Sequence, residues 1–235
     1  VVVLVWMIAA AHGASPGLID EIVATRGQRN LDSAPAIERS AYERALGGEV
    51  VTGLVDVPGH KARLAWGVAV VKAPTDRFWA AVNDDRSKVA YTKLEHLELL
   101  SGEACGPSRV VFQYLGVSLL TDRWWVVQQR HNTGLASATE GRLREVSWKS
   151  VADQAAALTP SARTWADQGM AIPFTEGSWL VGDLGDGRTL VEYYAWSDPG
   201  GSVPARMASS FAAGGIEDTF ASMTTLATKG PNCSY

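Results

Sequence analysis

The sequence predicts an α+β fold in which a curved antiparallel β-sheet is folded around one long C-terminal α-helix. Three observations carry that expectation. Hairpin-connected strand patterns fill the middle of the chain, over 93–100, 109–115, 123–130, 142–151, 177–184 and 190–197. A helical pattern closes the chain over 204–228, with Met207, Phe211, Ile216, Phe220 and Met223 at helical spacing. Shorter helices come first, so burying the apolar stripe of the last helix against the sheet is the simplest layered solution.

A length of 235 residues fits one large domain. Hydrophobic residues at 46% and charged residues at 20% exclude wholesale disorder, a collagen-like repeat and a coiled-coil rod. The 21 basic and 25 acidic residues are scattered and leave a net charge of −4, which argues against nucleic-acid binding. Nine tryptophans, six tyrosines and five phenylalanines point to a large apolar interior.

Val1 to Ala11 is an unbroken apolar run, shorter than the roughly 20 residues a membrane-spanning helix needs. It has the length of a signal-peptide core, and His12, Gly13 and Ala14 suit a cleavage region. The expectation is a truncated leader over 1–14 and an exported protein, periplasmic or secreted; a first core strand is the alternative. Helices are expected over 15–48, a sheet domain over 49–229 and a short tail over 230–235.

Ser15 and Pro16 form a helix start, with Leu18, Ile19, Ile22 and Val23 on one face. A second helix is expected from Ser33, with Pro35 in its first turn, to the glycine pair Gly47 and Gly48. Strands over 49–57 and 63–71 flank the Pro58-Gly59 turn. The second alternates Leu64, Trp66, Val68 and Val70 with Ala65, Gly67 and Ala69, a small-residue face suited to close packing. A helix over 73–83 carries Pro74 in its first turn and Phe78 and Val82 at i,i+4; a shorter piece holds Val89 and Tyr91. Asp186 and Gly187 signal a two-residue hairpin, and 152–170 is less regular, with room for short helical turns.

Catalytic signatures are absent: there is no GxSxG, HExxH, GxxxxGK[ST] or GxGxxG. His12, His60, His96 and His131 are isolated, and Asp84 and Asp85 read as solvated surface at a helix end. No metal site or cofactor is expected. Cys105 and Cys233 form neither a metal site nor a CxxC motif. An exported setting permits one disulfide between them, and whether their Cα atoms come within the ~4.4–6.8 Å it requires is not decided by the sequence.

Strand alternation nominates cavity linings: Val111, Gln113 and Leu115; Trp125, Val127 and Gln129; Trp179 and Val181; Val191 and Tyr193. Phe78, Val82, Met207 and Phe211 would close the space from the helices, and ordinary core packing is the alternative for each apolar member. A one-residue slip would turn Trp124 and Val126 inward instead.

Several pieces of the chain, from Gly67 to Ala227, resemble the START-like superfamily with its helix-grip fold. They are GVAVVKAPTDRFWAAVNDD, VVFQYL, TDRWWVVQQ and GSWLVGDLGDGRTLVEYYAWSDPGGSVPARM. The resemblance implies a sheet wrapped around the last helix, a deep apolar cavity, and a lipid-binding or lipid-transfer role with no catalytic residues. Gln113 and Gln129 stand at positions resembling those where sterol-binding relatives often hold an internal acid and base. Two neutral amides would favour a ligand hydroxyl or carbonyl between or beside them. Arg123 resembles the family's strand-entry arginine, but Trp124 follows it where the family usually has Asp; Asp122 and Glu192 remain partners for it.

The expected partner is therefore a hydrophobic small molecule or lipid, with a transient membrane contact and no nucleic acid. An enzyme of the same superfamily, of the polyketide cyclase or aromatase type, is one alternative. A membrane-surface or protein-interaction module with Trp124 and Trp125 exposed is another.

Overall fold

The computed structural model describes residues 16–60, 62–117, 120–201 and 205–235, the side chains of 16 and 205–214 excepted. The first part of the chain forms α1 (Pro16–Ala24), a 3-10 turn (Arg26–Gln28), α2 (Arg39–Leu46), β1 (Val51–Val55), β2 (Leu64–Val71), α3 (Thr75–Asn83) and α4 (Lys88–Tyr91). Then come β3 (Leu94–Gly102), β4 (Ser108–Leu115), β5 (Arg123–His131), α5 (Thr133–Ala138), β6 (Leu143–Ser150) and α6 (Pro160–Ala166). β7 (Met170–Ala171), β8 (Phe174–Asp183), β9 (Thr189–Asp198) and α7 (Ala205–Lys229) complete it. The expected leader over 1–14 lies outside the described residues.

The strands join in the order β1-β2-β9-β8-β6-β5-β4-β3, all antiparallel, with β7 pairing β5 in parallel. The sheet wraps α7, and this is the α+β helix-grip architecture the sequence predicts. Alternation gives the sheet two buried faces. The inner face packs on α3 and the C-terminal half of α7 through Ala65, Ala69, Val71, Trp179, Val181 and Val191, against Phe78, Val82, Ile216, Phe220 and Met223. Burying side chains of this size contributes roughly 1.5–3 kcal/mol each. The small face of β2 sets the closeness of α7: a Cβ on Gly67 would fall 2.5 Å from Ile216 Cγ2 and 3.0 Å from Phe220 Cε2.

The outer face is covered twice. Leu18, Ile19, Ile22, Tyr42 and Ala45 of α1 and α2 pack on Val68, Leu143, Leu180 and Leu190. Ala162 and Ala166 of α6 pack on Phe112, Tyr114, Trp124 and Val126.

Several boundaries differ from expectation. Val23 is 41% exposed, so α1 buries a narrower stripe than its sequence suggests. The second helix starts at Arg39 rather than Ser33, because the segment before it is held by tertiary bonds. Arg29 reaches Glu145, Glu192 and Ser178, Asn30 reaches Ser147, and Arg26 donates to the Ile37 carbonyl. Pro74 precedes α3 as its cap residue instead of lying in its first turn. The β8–β9 connection spans 184–188 rather than two residues, with Gly185 and Gly187 at φ 74° and 80°. α5, absent from the sequence reading, is capped by Asn132, whose side chain accepts from the Leu135 N–H.

Candidate functional site

Cross-strand register brings the nominated residues to one face. Val111 lies opposite Val127 and Gln113 opposite Trp125. Gln129 lies opposite Trp148, and Trp179 opposite both Val146 and Tyr193. This is the face α7 packs on, since Trp179 and Tyr193 meet Phe220 there. Trp124 and Val126 point to the outer face, under α6.

The nominated residues divide into two groups. Phe78, Val82 and Trp179 belong to the packed core with α7. Toward the β3 edge, Gln113, Leu115 and Trp125 are only half-buried, as are Leu97 and Leu99, which share their face through the pairs Leu97–Gln113 and Leu99–Val111. Leu97, Leu99, Leu115 and Trp125 belong to none of the apolar clusters of the core. Val111 and Val127 form the buried floor between them. Leu97 and Leu99 escaped the sequence reading because β3 shifts register between Leu94 and His96 and again between Leu99 and Ser101. The side chains of Met207 and Phe211, also nominated, lie outside the described residues.

Gln113 and Gln129 do not form a pair. They stand four positions apart along adjacent strands, roughly 13 Å at the usual rise. A second contact orients each amide. The Trp125 indole only donates, at 2.5 Å, so it takes the Gln113 Oε1 and leaves the NH2 as the outward group. Asp85 only accepts, so Gln129 turns its Nε2 toward Asp85 Oδ1, 3.4 Å away, and leaves its oxygen unused among the described residues.

A buried polar cluster lies at the Gln129 end. Arg109 is ion-paired with Asp85 and donates to the Gly106 carbonyl and to Asn83 Oδ1 (3.1 Å). His131 Nε2 is 2.8 Å from the same Asn83 oxygen, and Lys88 reaches Asp85 at 2.9 Å. The sequence reading placed Asp84 and Asp85 on the solvated surface; they are 1% and 4% exposed. Asp84 is covered by the C-terminal tail, accepting from the Asn232 N–H at 2.7 Å. The tail is held by a Cys105–Cys233 disulfide with Cα atoms 5.7 Å apart, by Tyr235 donating to the Cys105 carbonyl, and by the Tyr235 ring beside Trp79 and His131. His131, read as an isolated histidine, is thus part of the cluster.

Charge and burial set the protonation states. Burial alone would raise the Asp85 carboxyl, but Lys88 and Arg109 hold it below the usual carboxylate range. Burial, then the Arg109 charge, pushes His131 down to about 4, so it is neutral near pH 7. Among the described residues no three His, Cys, Asp or Glu gather as a metal site.

Arg123 does not pair with either carboxylate considered for it. It is buried on the inner face and donates to the carbonyls of Pro199 (2.7 Å) and Thr121, which pins the chain where it turns toward α7. Asp122 instead accepts from the Tyr114 hydroxyl and the Val117 N–H, which hold its carboxyl below the usual range. Glu192 lies on the outer face with Arg29 and Tyr42.

An aromatic wall stands beside the polar cluster. The Trp148 indole lies across Gly177, where any Cβ would collide with it, and stacks on Tyr193 with centroids 5.6 Å apart. Trp179 approaches Tyr193 at 4.6 Å and Phe220 at 5.7 Å. Burial pushes the Tyr193 hydroxyl up to about 12. Trp148 was not nominated from sequence, although it alternates in phase with Val146 on a strand the sequence predicts.

No family model and no curated protein sequence matches the chain. Solved structures do match it. The STAR-related lipid transfer protein from Xanthomonas axonopodis is 18% identical, with a TM-score of 0.62 over 76% of this chain and 93% of its own. Human STARD10 is 11% identical at a TM-score of 0.62, over 86% of this chain and 84% of its own. Human StAR-related lipid transfer protein 5 is 11% identical at 0.60, over 91% of this chain and 96% of its own. At such identities likeness establishes architecture, and the architecture of this chain is the START-like helix-grip fold, able to enclose a hydrophobic cavity between sheet and helix.

Proposed function

We propose that the protein binds and transfers a hydrophobic ligand held between the inner face of the sheet and α7, without chemical conversion. The observation that carries this reading is the half-buried lining of Leu97, Leu99, Leu115 and Trp125, apolar surface on the inner face that lies outside the packed core. Covering such surface is worth roughly 25 cal/mol per Å², which favours an apolar occupant. The lipid-transfer proteins that share the fold point the same way. The charged groups nearest the inner face also favour a carrier, because Arg109 and Lys88 are both engaged by Asp85 and His131 is neutral. Entry would pass by the turn at 198–201, which the Arg123 anchor holds to the sheet. The disulfide favours an oxidising compartment, in keeping with export to the periplasm or beyond. A transient membrane contact during exchange belongs to this reading.

Native mass spectrometry of the purified protein, followed by lipid extraction, tests it. The expected result is one hydrophobic molecule per chain. Absence of any copurifying or exchangeable lipid, with turnover of a polyketide analogue, would move the case to a cyclase-type enzyme.

A further inference from the structure

The Cys105–Cys233 bond joins two parts of the molecule that face each other across the proposed ligand space. Cys105 lies in the hairpin at 103–107 between β3 and β4, and Cys233 lies just beyond the end of α7. β3 is the edge of the sheet, paired on one side only, and its ladder with β4 is broken twice. The same two strands carry Leu97, Leu99 and Leu115, the half-buried lining outside the packed core. The bond therefore ties the least supported wall of the sheet to the end of the helix that the sheet wraps.

Without the sulfur bridge the tail rests on surface contacts. Asn232 donates to Asp84 (2.7 Å) and to Ser87 Oγ (2.8 Å), and the Tyr235 hydroxyl donates to the Cys105 carbonyl (2.6 Å). Both residues are exposed, and hydrogen bonds of this kind contribute only about 0.5–1.5 kcal/mol each. Cys105 itself is held at φ 65°, a left-handed conformation that costs a non-glycine residue roughly 1–2 kcal/mol and that a freed loop can leave. Behind the tail, Asp84 adjoins the Asp85, Lys88 and Arg109 group, and Gln129 Nε2 on the inner face lies 3.4 Å from Asp85. Loosening at the tail thus reaches the inner face through contacts already in place, as local opening does where few buried contacts oppose it.

We propose that the Cys105–Cys233 bond is a redox latch on the ligand space. Closed, it holds the β3–β4 wall to the end of α7; opened by a dithiol, it lets that wall draw back and loosens the grip on the ligand. A thiolate of the dithiol attacks one sulfur of the bond and forms a mixed disulfide, and the other cysteine leaves as a thiolate that takes up a proton. The second thiol of the reductant then displaces the first cysteine. Two electrons and two protons pass to the protein, and the reductant departs as a disulfide. The inference rests on the carrier reading above and supplies its regulation.

The test follows release of the copurified lipid from the full chain into excess phosphatidylcholine vesicles, read by native mass spectrometry. Oxidised protein is compared with protein reduced by dithiothreitol and with Cys105→Ser plus Cys233→Ser. Oxidised Arg29→Met is the control that loses stability with the latch intact. Nuclear magnetic resonance titration of His131, whose ring lies beside Tyr235, reports whether the tail has lifted in the folded state. The expected result is roughly tenfold faster release in the reduced protein and the double serine variant, and the parental rate in Arg29→Met. In the two opened forms the His131 midpoint should rise from about 4 toward its ordinary 6.5 as burial is relieved. Unchanged release on reduction, equal acceleration in Arg29→Met, a His131 midpoint that stays near 4, or loss of the native circular dichroism on reduction overturns the latch and leaves the carrier standing. No bound lipid in any form overturns the carrier reading, and the latch with it.

Discussion

Replacing Arg29 with methionine should remove much of the stability of this protein, although Arg29 lies on the outer face of the sheet. Its guanidinium enters the outer face of the sheet and is 2.8 Å from Glu145 and 2.6 Å from Glu192, with side-chain exposures of 6%, 0% and 2%. It also donates to Ser178 at 2.8 Å. Burial alone would lower the Arg29 pKa, but Glu192 and Glu145 together hold it above its ordinary value. In the methionine variant two carboxylates remain buried within reach of one another. Their remaining donors are Tyr42 for Glu192, and Asn132 with the Asn30 N–H for Glu145, none of them charged. Breaking a buried ion pair by removing one partner costs about 3–5 kcal/mol, against a total of about 5–15 kcal/mol for a typical domain. With a urea slope of about 2 kcal/mol/M, the midpoint should fall by roughly 1.5–2.5 M. Urea titration followed by far-ultraviolet circular dichroism measures it. A fall below about 0.5 M would refute the argument that the guanidinium is what makes these carboxylates tolerable. The triple variant Arg29→Met, Glu145→Gln, Glu192→Gln should recover most of the loss, because neutral amides at both sites remove the uncompensated charge.

Two further outcomes are expected. His131 is depressed from 6.5 to about 4 in the folded chain, so between those values the unfolded chain binds a proton that the native state refuses. Its contribution is intact above about pH 6.5 and falls as the pH drops toward 4; urea midpoints across this range should slope less in His131→Asn than in the parent. Cys105→Ser with Cys233→Ser removes a link spanning 128 residues and should lower stability by about 2–5 kcal/mol, as should adding reductant to the parent but not to the variant.

Much of this architecture is legible in the sequence because strand alternation and helical spacing report the faces directly. Ala65, Gly67 and Ala69 announce a close-packed surface, and Ile216 and Phe220 occupy it. That Trp125, Val127 and Gln129 share one face follows from alternation, and the register with β4 and β6 is what makes that face the inner one. What stays hidden depends on distant partners. Asp84 and Asp85 look like solvated residues at a helix end until Arg109, Lys88 and the tail residue Asn232 are brought to them by the fold. Ser33 and Pro35 carry a sound helix-start signal, yet Arg29 finds two carboxylates on the sheet, and that tertiary bonding keeps the chain from coiling until Arg39. The bulges in β3 disguise Leu97 and Leu99 for a related reason, since register is a property of the strand pair rather than of either strand.

The cross-link between Cys105 and Cys233 also fixes how the molecule can yield to force. It closes a covalent ring that contains β4 through α7, while β1, β2, β3 and the helices before them lie outside it. A pull applied at the two termini would peel away the outside segment and then stop, with β4 through α7 still in the ring. Only after reduction could the 128-residue interval extend, releasing roughly 420–460 Å of additional contour. The strands from β4 to β9 and the helix they wrap are therefore mechanically insulated from the chain's own ends.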